Sequence, residues 1–254
     1  MLQDLSNWTG LSLPYLMVTT GMVFVAGAVR GFAGFGLSAV LMASIVVFIP
    51  PVELIPICFL LEAAASIAMF KGGLRDADHK TAFTLAICSA IGVPIGLSAT
   101  TSIPTDFSKL VALFLVLTLT LLQLLKVKVR PFSSPFALPV TGLAAGIVTG
   151  LASIGGMVIA LYVLASAQNA RKMRGSLVLF LFCGMVTSLA TLLMFDVLDE
   201  KAIQRGLIFV PVVLAGVLVG SRLFSRSLEQ TYKRACLSLL TVLACIGLIR
   251  TVVF

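Results

Sequence analysis

Gly27-Ala-Val-Arg-Gly31-Phe-Ala-Gly-Phe-Gly36 and Gly146-Ile-Val-Thr-Gly150-Leu-Ala-Ser-Ile-Gly155 are two versions of one pattern. Glycine recurs at the first, fifth and tenth positions of both, and Val29/Val148 and Ala33/Ala152 also agree. A second pair of blocks follows in the same order, Gly92-Val-Pro-Ile-Gly96 and Gly216-Val-Leu-Val-Gly220. At that offset Lys109 meets Lys233 and Lys126 meets Arg250. The offset grows by about five residues between the two pairs, which is the size of a loop-length difference. Two ordered matches with flanking cations argue for an internal duplication. Repeat one covers about 13–126, a connector about 127–137, and repeat two about 138–254.

The medium around these repeats follows from composition. Hydrophobic residues make up 59% of the 254-residue chain and charged residues 11%, with a mean hydropathy of +1.14. A soluble domain of this size cannot hide that much apolar surface. Lipid must solvate part of it, so the chain reads as one all-α polytopic membrane domain, 1–254, with the bilayer as a partner. Ten apolar segments are expected, roughly 13–30, 37–49, 52–70, 81–100 and 109–126, then 138–152, 155–167, 175–195, 206–224 and 235–254. Barrel strands alternate polar and apolar residues, whereas these runs are apolar on all sides. The ten residues Met1 to Gly10 carry Asp4 and no Lys or Arg. They lack the basic start of a cleavable signal, so the first apolar run is expected to stay.

The net charge of +8 resides in short loops beside apolar runs. That placement fits orientation by cytoplasmic cations; no basic face interleaved with aromatics suggests nucleic acid. With the Lys126–Arg130 connector inside, the loop holding Lys71, Arg75 and Lys80 also falls inside. So do Arg171, Lys172 and Arg174, and Arg226, Lys233 and Arg234. Thr101–Ser108 and Asp196–Arg205 fall outside with both termini, as expected for a bacterial inner membrane. Five segments per repeat is an odd number, so the second copy is expected upside down. Inverted repeats of this kind recur in secondary transporters, with the substrate at the midplane where the copies meet.

Each repeat is expected to open with a hairpin of two short segments. Segments 37–49 and 155–167 hold about 13 residues where a span needs about 20, giving helices only about 20 Å long. The expectation is two helical hairpins, re-entrant or steeply tilted, with glycine tips buried in the membrane. Broken backbone is tolerated there only when protein covers it or it lines a wet cavity. The tips are Arg30 to Gly36 and Thr149 to Gly156. Glycine permits a sharp turn and a close ligand approach, and the helix that follows presents unpaired N–H groups and a positive dipole end. Arg30 adds a planar, charged fork suited to an oxyanion, and Thr149 and Ser153 can donate hydrogen bonds. A competing reading makes the glycine spacings helix-packing motifs, and that reading is favoured for Gly92/Gly96 and Gly216/Gly220. Glu62, at the centre of its segment, either partners Arg30, carries a coupling proton, or fills a structural hydrogen bond.

Other chemistry finds little support. The five cysteines lie in apolar runs without a C-x-x-C pair, so no disulfide or zinc framework is suggested. His79 is the only histidine, which excludes a histidine-built metal site within one chain. No cofactor is called for, and no nucleophile–base or paired-carboxylate constellation suggests an enzyme.

At Arg30-Gly-Phe-Ala-Gly-Phe-Gly36 the chain resembles the TauE/SafE sulfite exporter family of membrane anion permeases. The likeness extends to its length, its duplicated halves, the glycine tip opening each half and the basic central connector. The resemblance implies a permease for sulfite, organosulfonates or other sulfur-containing anions, and carries anion contact onto Arg30, Gly31, Gly34, Phe35 and Gly36, and onto Gly150, Ser153, Gly155 and Gly156. The second tip departs from the pattern, with Thr149 where an arginine would stand. The expected function is therefore a secondary transporter, an exporter, of small anions by alternating access. An anion channel of the same architecture and a carboxylate or other anion permease are the alternatives. The coupling ion (proton or Na+) and homo-oligomer formation stay open.

Overall fold

A computed structural model describes residues 12–125, 136–165, 170–223 and 229–253. The connector from Lys126 to Pro135, the start from Met1 to Gly10, Gln168 and Asn169 lie outside the described residues, as do the side chains of Arg171, Arg226, Lys233, Arg234 and Cys236. Ten helices and no strand are found among the described residues. They are α1 (Leu13–Ala33), α2 (Leu37–Ile45), α3 (Pro51–Asp76), α4 (His79–Ser102) and α5 (Thr105–Leu124), then α6 (Ala137–Ala152), α7 (Gly155–Ala165), α8 (Ala170–Met194), α9 (Glu200–Leu223) and α10 (Glu229–Val253).

Six of these, α1, α3, α4, α5, α8 and α9, are long and apolar enough to cross a bilayer. Their outer faces carry large apolar side chains in the open, among them Ile67, Ile87, Ile91, Phe114 and Val186. Water would not tolerate that surface, and lipid would. The chain is a multi-pass membrane protein. Pro56, Pro94 and Pro211 lie inside α3, α4 and α9, as membrane helices allow when neighbours satisfy the freed carbonyls.

The expectation of two short segments opening each repeat needs one correction. α1 has 21 residues, about 31 Å of helix, so it is a full-length element and only its partner α2 is short, at 9 residues. In the second hairpin both arms are short, 16 residues in α6 and 11 in α7. α2 is buried along nearly its whole length at the centre of the bundle.

Local signals set the helix ends. Pro14 and Pro51 stand in the first turns of α1 and α3, where a missing N–H costs nothing. Asp78 caps α4 by accepting a hydrogen bond from the Thr81 N–H at 3.2 Å. Gly34, at φ +83°, ends α1 in the left-handed conformation and donates its N–H to Arg30 O at 2.8 Å.

Glycine packing joins the two halves. Along α1 and α9, Gly27 meets Val213 and Gly31 meets Val217, while Gly216 and Gly220 meet Phe24 and Ala28. Along α4 and α6, Gly142, Gly146 and Gly150 meet Leu85, Ser89 and Val93 in turn. In each crossing the contacts advance together in both helices, so the pairs run parallel. At almost every one of these glycines an added Cβ would overlap the partner's backbone, which is the close approach that favours small residues in membranes. α1 of the first half thus pairs with α9 of the second, and α6 of the second with α4 of the first.

Two ion pairs mark the ends of the bundle. Arg205 at the start of α9 reaches Glu53 at the start of α3, at 2.8 Å. At the other end Lys172, at the start of α8, reaches Asp78 at 3.2 Å, and Ser176 Oγ accepts the Asp78 N–H at 2.9 Å. α1 therefore starts at the Glu53 end with α9, and α6 at the Lys172 end with α4.

Candidate functional site

The first tip is built around a buried ion pair. Gly34 and Gly36, at φ +83° and +93°, turn the chain so that α2 starts at Leu37. Ser38, in the first turn of α2, donates its N–H and its hydroxyl to Glu62 Oε1, at 3.4 and 3.1 Å. Glu62 Oε2 lies 2.9 Å from Arg30 Nε. The rest of the Arg30 guanidinium is also taken: Nη2 donates to Ser66 Oγ at 2.9 Å, and Nη1 donates to the Gly34 carbonyl. Arg30 is 0% exposed. A carboxylate thus occupies the positive end of α2, where an external anion would bind, and its charge balances the guanidinium.

A side chain from the second half covers this tip. Arg174, near the start of α8, donates Nη2 to the Gly31 carbonyl at 2.5 Å. Its stem crosses Gly34, where an added Cβ would come within 2.8 Å of Arg174 Cγ.

The second tip has the same turn and different surroundings. Ser153 takes the left-handed place of Gly34, at φ +58°, and donates its N–H to Thr149 O at 2.7 Å. α7 starts at Gly155, and Gln123 of α5 braces its first turn by donating Nε2 to Met157 O at 3.1 Å. Thr100 Oγ1 donates to Gly150 O at 3.1 Å and ties the end of α6 to α4. A cavity of about 60 Å³ lies against this tip, between α3, α4 and α8. Thr149, Gly150, Ser153 and Gly156 form one side, and Glu62, Ser89 and Ser188 add polar groups. Ile55, Phe59, Val93, Phe180 and Leu181 contribute to its apolar walls. That volume holds about four waters, or one small anion.

No carboxylate stands at the second tip where Glu62 stands at the first. The 119-residue offset from Gly36 to Gly155 sets Leu181 in the place of Glu62. Leu181 does lie there, its Cδ1 3.5 Å from the Cβ position of Gly156. The positive end of α7 therefore adjoins a cavity, while that of α2 adjoins a built-in carboxylate.

The two tips meet: the Cβ position of Gly156 is 3.7 Å from Phe35 Cβ. Of the residues singled out in the sequence, Glu62, Thr149, Gly150, Ser153 and Gly156 line the cavity. Arg30, Gly31, Gly34, Phe35, Gly36 and Gly155 are not among its lining residues; they form the turns behind it, and Gly155 packs against Thr149 and Ala145. Sequence reasoning missed Ser89, Ser188 and Arg174. The two serines sit in apolar runs with no local mark, and Arg174 was counted only as a loop cation.

No curated protein and no solved structure matches the chain. The family described as Sulfite exporter TauE/SafE matches it over residues 19–246, from the first hairpin into the last helix. With its membrane-spanning helices and its paired glycine hairpins, the chain belongs to the sulfite exporter TauE/SafE family of membrane transporters.

Proposed function

We propose that the protein carries a small sulfur-containing anion, sulfite or a short organosulfonate, across a bacterial inner membrane by alternating access between two inverted repeats. One observation carries the reading. At the second tip a helix N-terminus, a threonine and a serine border a cavity deep among the helices. Helix N-termini bind anions through their free N–H groups and dipole. The first tip shows the same arrangement already filled by the carboxylate of Glu62. The inverted reading draws support from the exchanged helix pairs, α1 with α9 and α6 with α4, which enter from opposite ends. The cations Lys71, Arg75, Lys80 and Lys172 all stand at the Lys172 end, which supports the reading of that end as the cytoplasmic one.

Glu62 links the two tips. Its carboxylate balances Arg30 at the first and faces the cavity of the second. With Glu62 ionised the pair is neutral as seen from the cavity. When Glu62 takes a proton, Arg30 is left uncompensated and the cavity becomes more attractive to an anion. Binding linkage is reciprocal, so proton and anion strengthen each other. An inside-negative potential by itself favours anion exit by about 2.3 kcal/mol per charge per 100 mV.

Flux of labelled sulfite in proteoliposomes, with and without a pH gradient, tests this. The expected result is saturable flux that responds to the gradient, and a Glu62→Gln variant whose flux no longer does. Gradient-sensitive flux in Glu62→Gln removes the residue from coupling, and unsaturable conductance favours a channel.

A further inference from the structure

The cavity occupies only one end of the bundle. Its residues on α3 are Ile55, Phe59, Glu62 and Ala63, from the half that starts at the Glu53 end. On α4 and α8 they run from the middle of the helix, at Ser89 and Phe180, toward its later end, at Leu97 and Leu192, which leads to the same end of the bundle. The repeat supplies a mirror image for each wall residue. The 119-residue offset pairs Ser188 with Met69, Met185 with Ser66, and Phe59 with Val178. The 124-residue offset from Gly92 to Gly216 pairs Ser89 with Val213 and Val93 with Val217. Ser188, Met185 and Phe59 are partly exposed where they line the cavity, while their mirror residues Met69, Ser66 and Val178 are buried. Those three positions border a cavity at one end and are buried at the other.

The closure has identifiable parts. Arg174 stands in the place of Ile55 by the same offset, each being the fifth residue of its helix, α8 and α3. Ile55 leaves the second tip open to its cavity, whereas Arg174 reaches over the first tip to Gly31 and Gly34. Eight residues further along α8 than Arg174, the ring of Phe182 meets that of Phe70 with centroids 4.2 Å apart, joining α3 to α8. The Lys172–Asp78 pair and the Ser176–Asp78 hydrogen bond fasten the start of α8 to the start of α4.

We infer that Arg174 is the latch of a gate at the Lys172 end, and that its release from the first tip opens a second vestibule, lined by Met69, Ser66 and Val178, as the cavity at the second tip closes. This rests on the alternating-access reading and names the group that holds one end shut. Arg174 is a positioning residue here, acting on the first tip.

Thiol labelling in vesicles tests it without any substrate. Ser188→Cys and its mirror Met69→Cys are made separately, each with Arg174 intact and with Arg174→Gln. A membrane-impermeant maleimide is applied from either side, and labelled positions are read by peptide mass spectrometry with the native cysteines in place. With Arg174 intact, Ser188→Cys is expected to label from the Glu53 side, and Met69→Cys to stay protected. In Arg174→Gln, Met69→Cys labelling from the Lys172 side is expected to rise about tenfold, the size of one charge-assisted hydrogen bond lost from only one of two states. Ser188→Cys labelling should fall in the same protein. Unchanged labelling overturns the gate, and so does a rise at both positions, which signals loosening. Arg174→Lys, too short to span Gly31 with a fork, gives the same reading if Arg174→Gln does not fold. Sulfite added afterwards separates the two ideas: a reciprocal shift that ignores sulfite keeps the gate and removes the anion reading.

Discussion

The two glycine tips share a turn and differ in what faces them. At the first, Glu62 fills the end of α2, Arg30 backs it, and Arg174 covers the outside. At the second, Thr149, Gly150, Ser153 and Gly156 border a cavity, and Leu181 stands where Glu62 would. The same glycine pattern thus gives one tip that carries its own carboxylate and one that borders a cavity. The difference teaches that an arginine in the hairpin motif first needs a partner of its own. A cation this deep has to be balanced before anything else, because an unpaired buried charge costs several kcal/mol. The motif's most conspicuous side chain is taken up by Glu62, Ser66 and the Gly34 carbonyl, and the quieter tip faces the cavity.

The largest expected effect breaks the closed tip. Glu62→Ala leaves Arg30 buried without its counter-charge and should destabilise the protein by about 3–5 kcal/mol, whereas Arg30→Met with Glu62→Met should recover most of the loss. Thermal unfolding of the purified protein checks both. If the single and double variants lose equally, the pair is not what organises the first tip.

The next makes the open tip resemble the closed one. Leu181→Glu puts a carboxylate at the end of α7. Like charges about 6 Å apart at an effective dielectric near 20 repel by about 3 kcal/mol, so sulfite binding should weaken about 100-fold. Titration calorimetry against the wild type measures it, and unaltered binding would place the anion elsewhere.

Exchanging the turn residues sharpens the comparison further. Ser153 holds a left-handed conformation that glycine adopts without strain, so Ser153→Gly should stabilise by about 0.5–1 kcal/mol. Gly34→Ser should destabilise by about 1–3 kcal/mol, since it adds a Cβ at positive φ against Arg174. The smallest effect is at the Asp78–Lys172 pair. The Thr81 N–H and then the Lys172 ammonium hold the Asp78 carboxyl below its ordinary range. A depressed carboxyl stabilises the fold above its unfolded value and loses that contribution as pH falls through the folded one. Asp78→Asn keeps the cap and loses the charge pair, so it should cost about 0.5 kcal/mol at neutral pH, with the gap to wild type closing in a melting series as the pH falls below the ordinary aspartate range.

Much of the fold was legible because its causes are local. Runs of apolar residues broken by Gly34 to Gly36, Pro50-Pro51 or Ser153 place every helix, with ends up to six residues from where they lie. The glycine spacings at Gly92/Gly96 and Gly216/Gly220 signalled packing, and both pairs sit in helix crossings. The Arg30–Glu62 partnership was one of the readings of a deep charge, since few other groups could balance it. The length of α1 was underread because Arg30 looked like a helix end, while the helix continues three residues to Ala33. Arg174 was beyond reach for another reason. Its bond to Gly31 spans 143 residues of chain, and nothing in Arg171-Lys172-Met173-Arg174 says which cation turns inward. The meaning of Leu181 emerges only from setting the two tips side by side.

The central claim, that the anion lies at the second tip, is tested most directly by sulfite-dependent thermal stability in Thr149→Val/Ser153→Ala beside the wild type. Bound ligand raises apparent stability by mass action, so the wild type should melt progressively higher as sulfite is added. The double variant, losing two hydroxyls at the cavity, should need about tenfold more sulfite or above for the same rise. A double variant that melts as a folded protein and responds to sulfite as the wild type does would contradict the account.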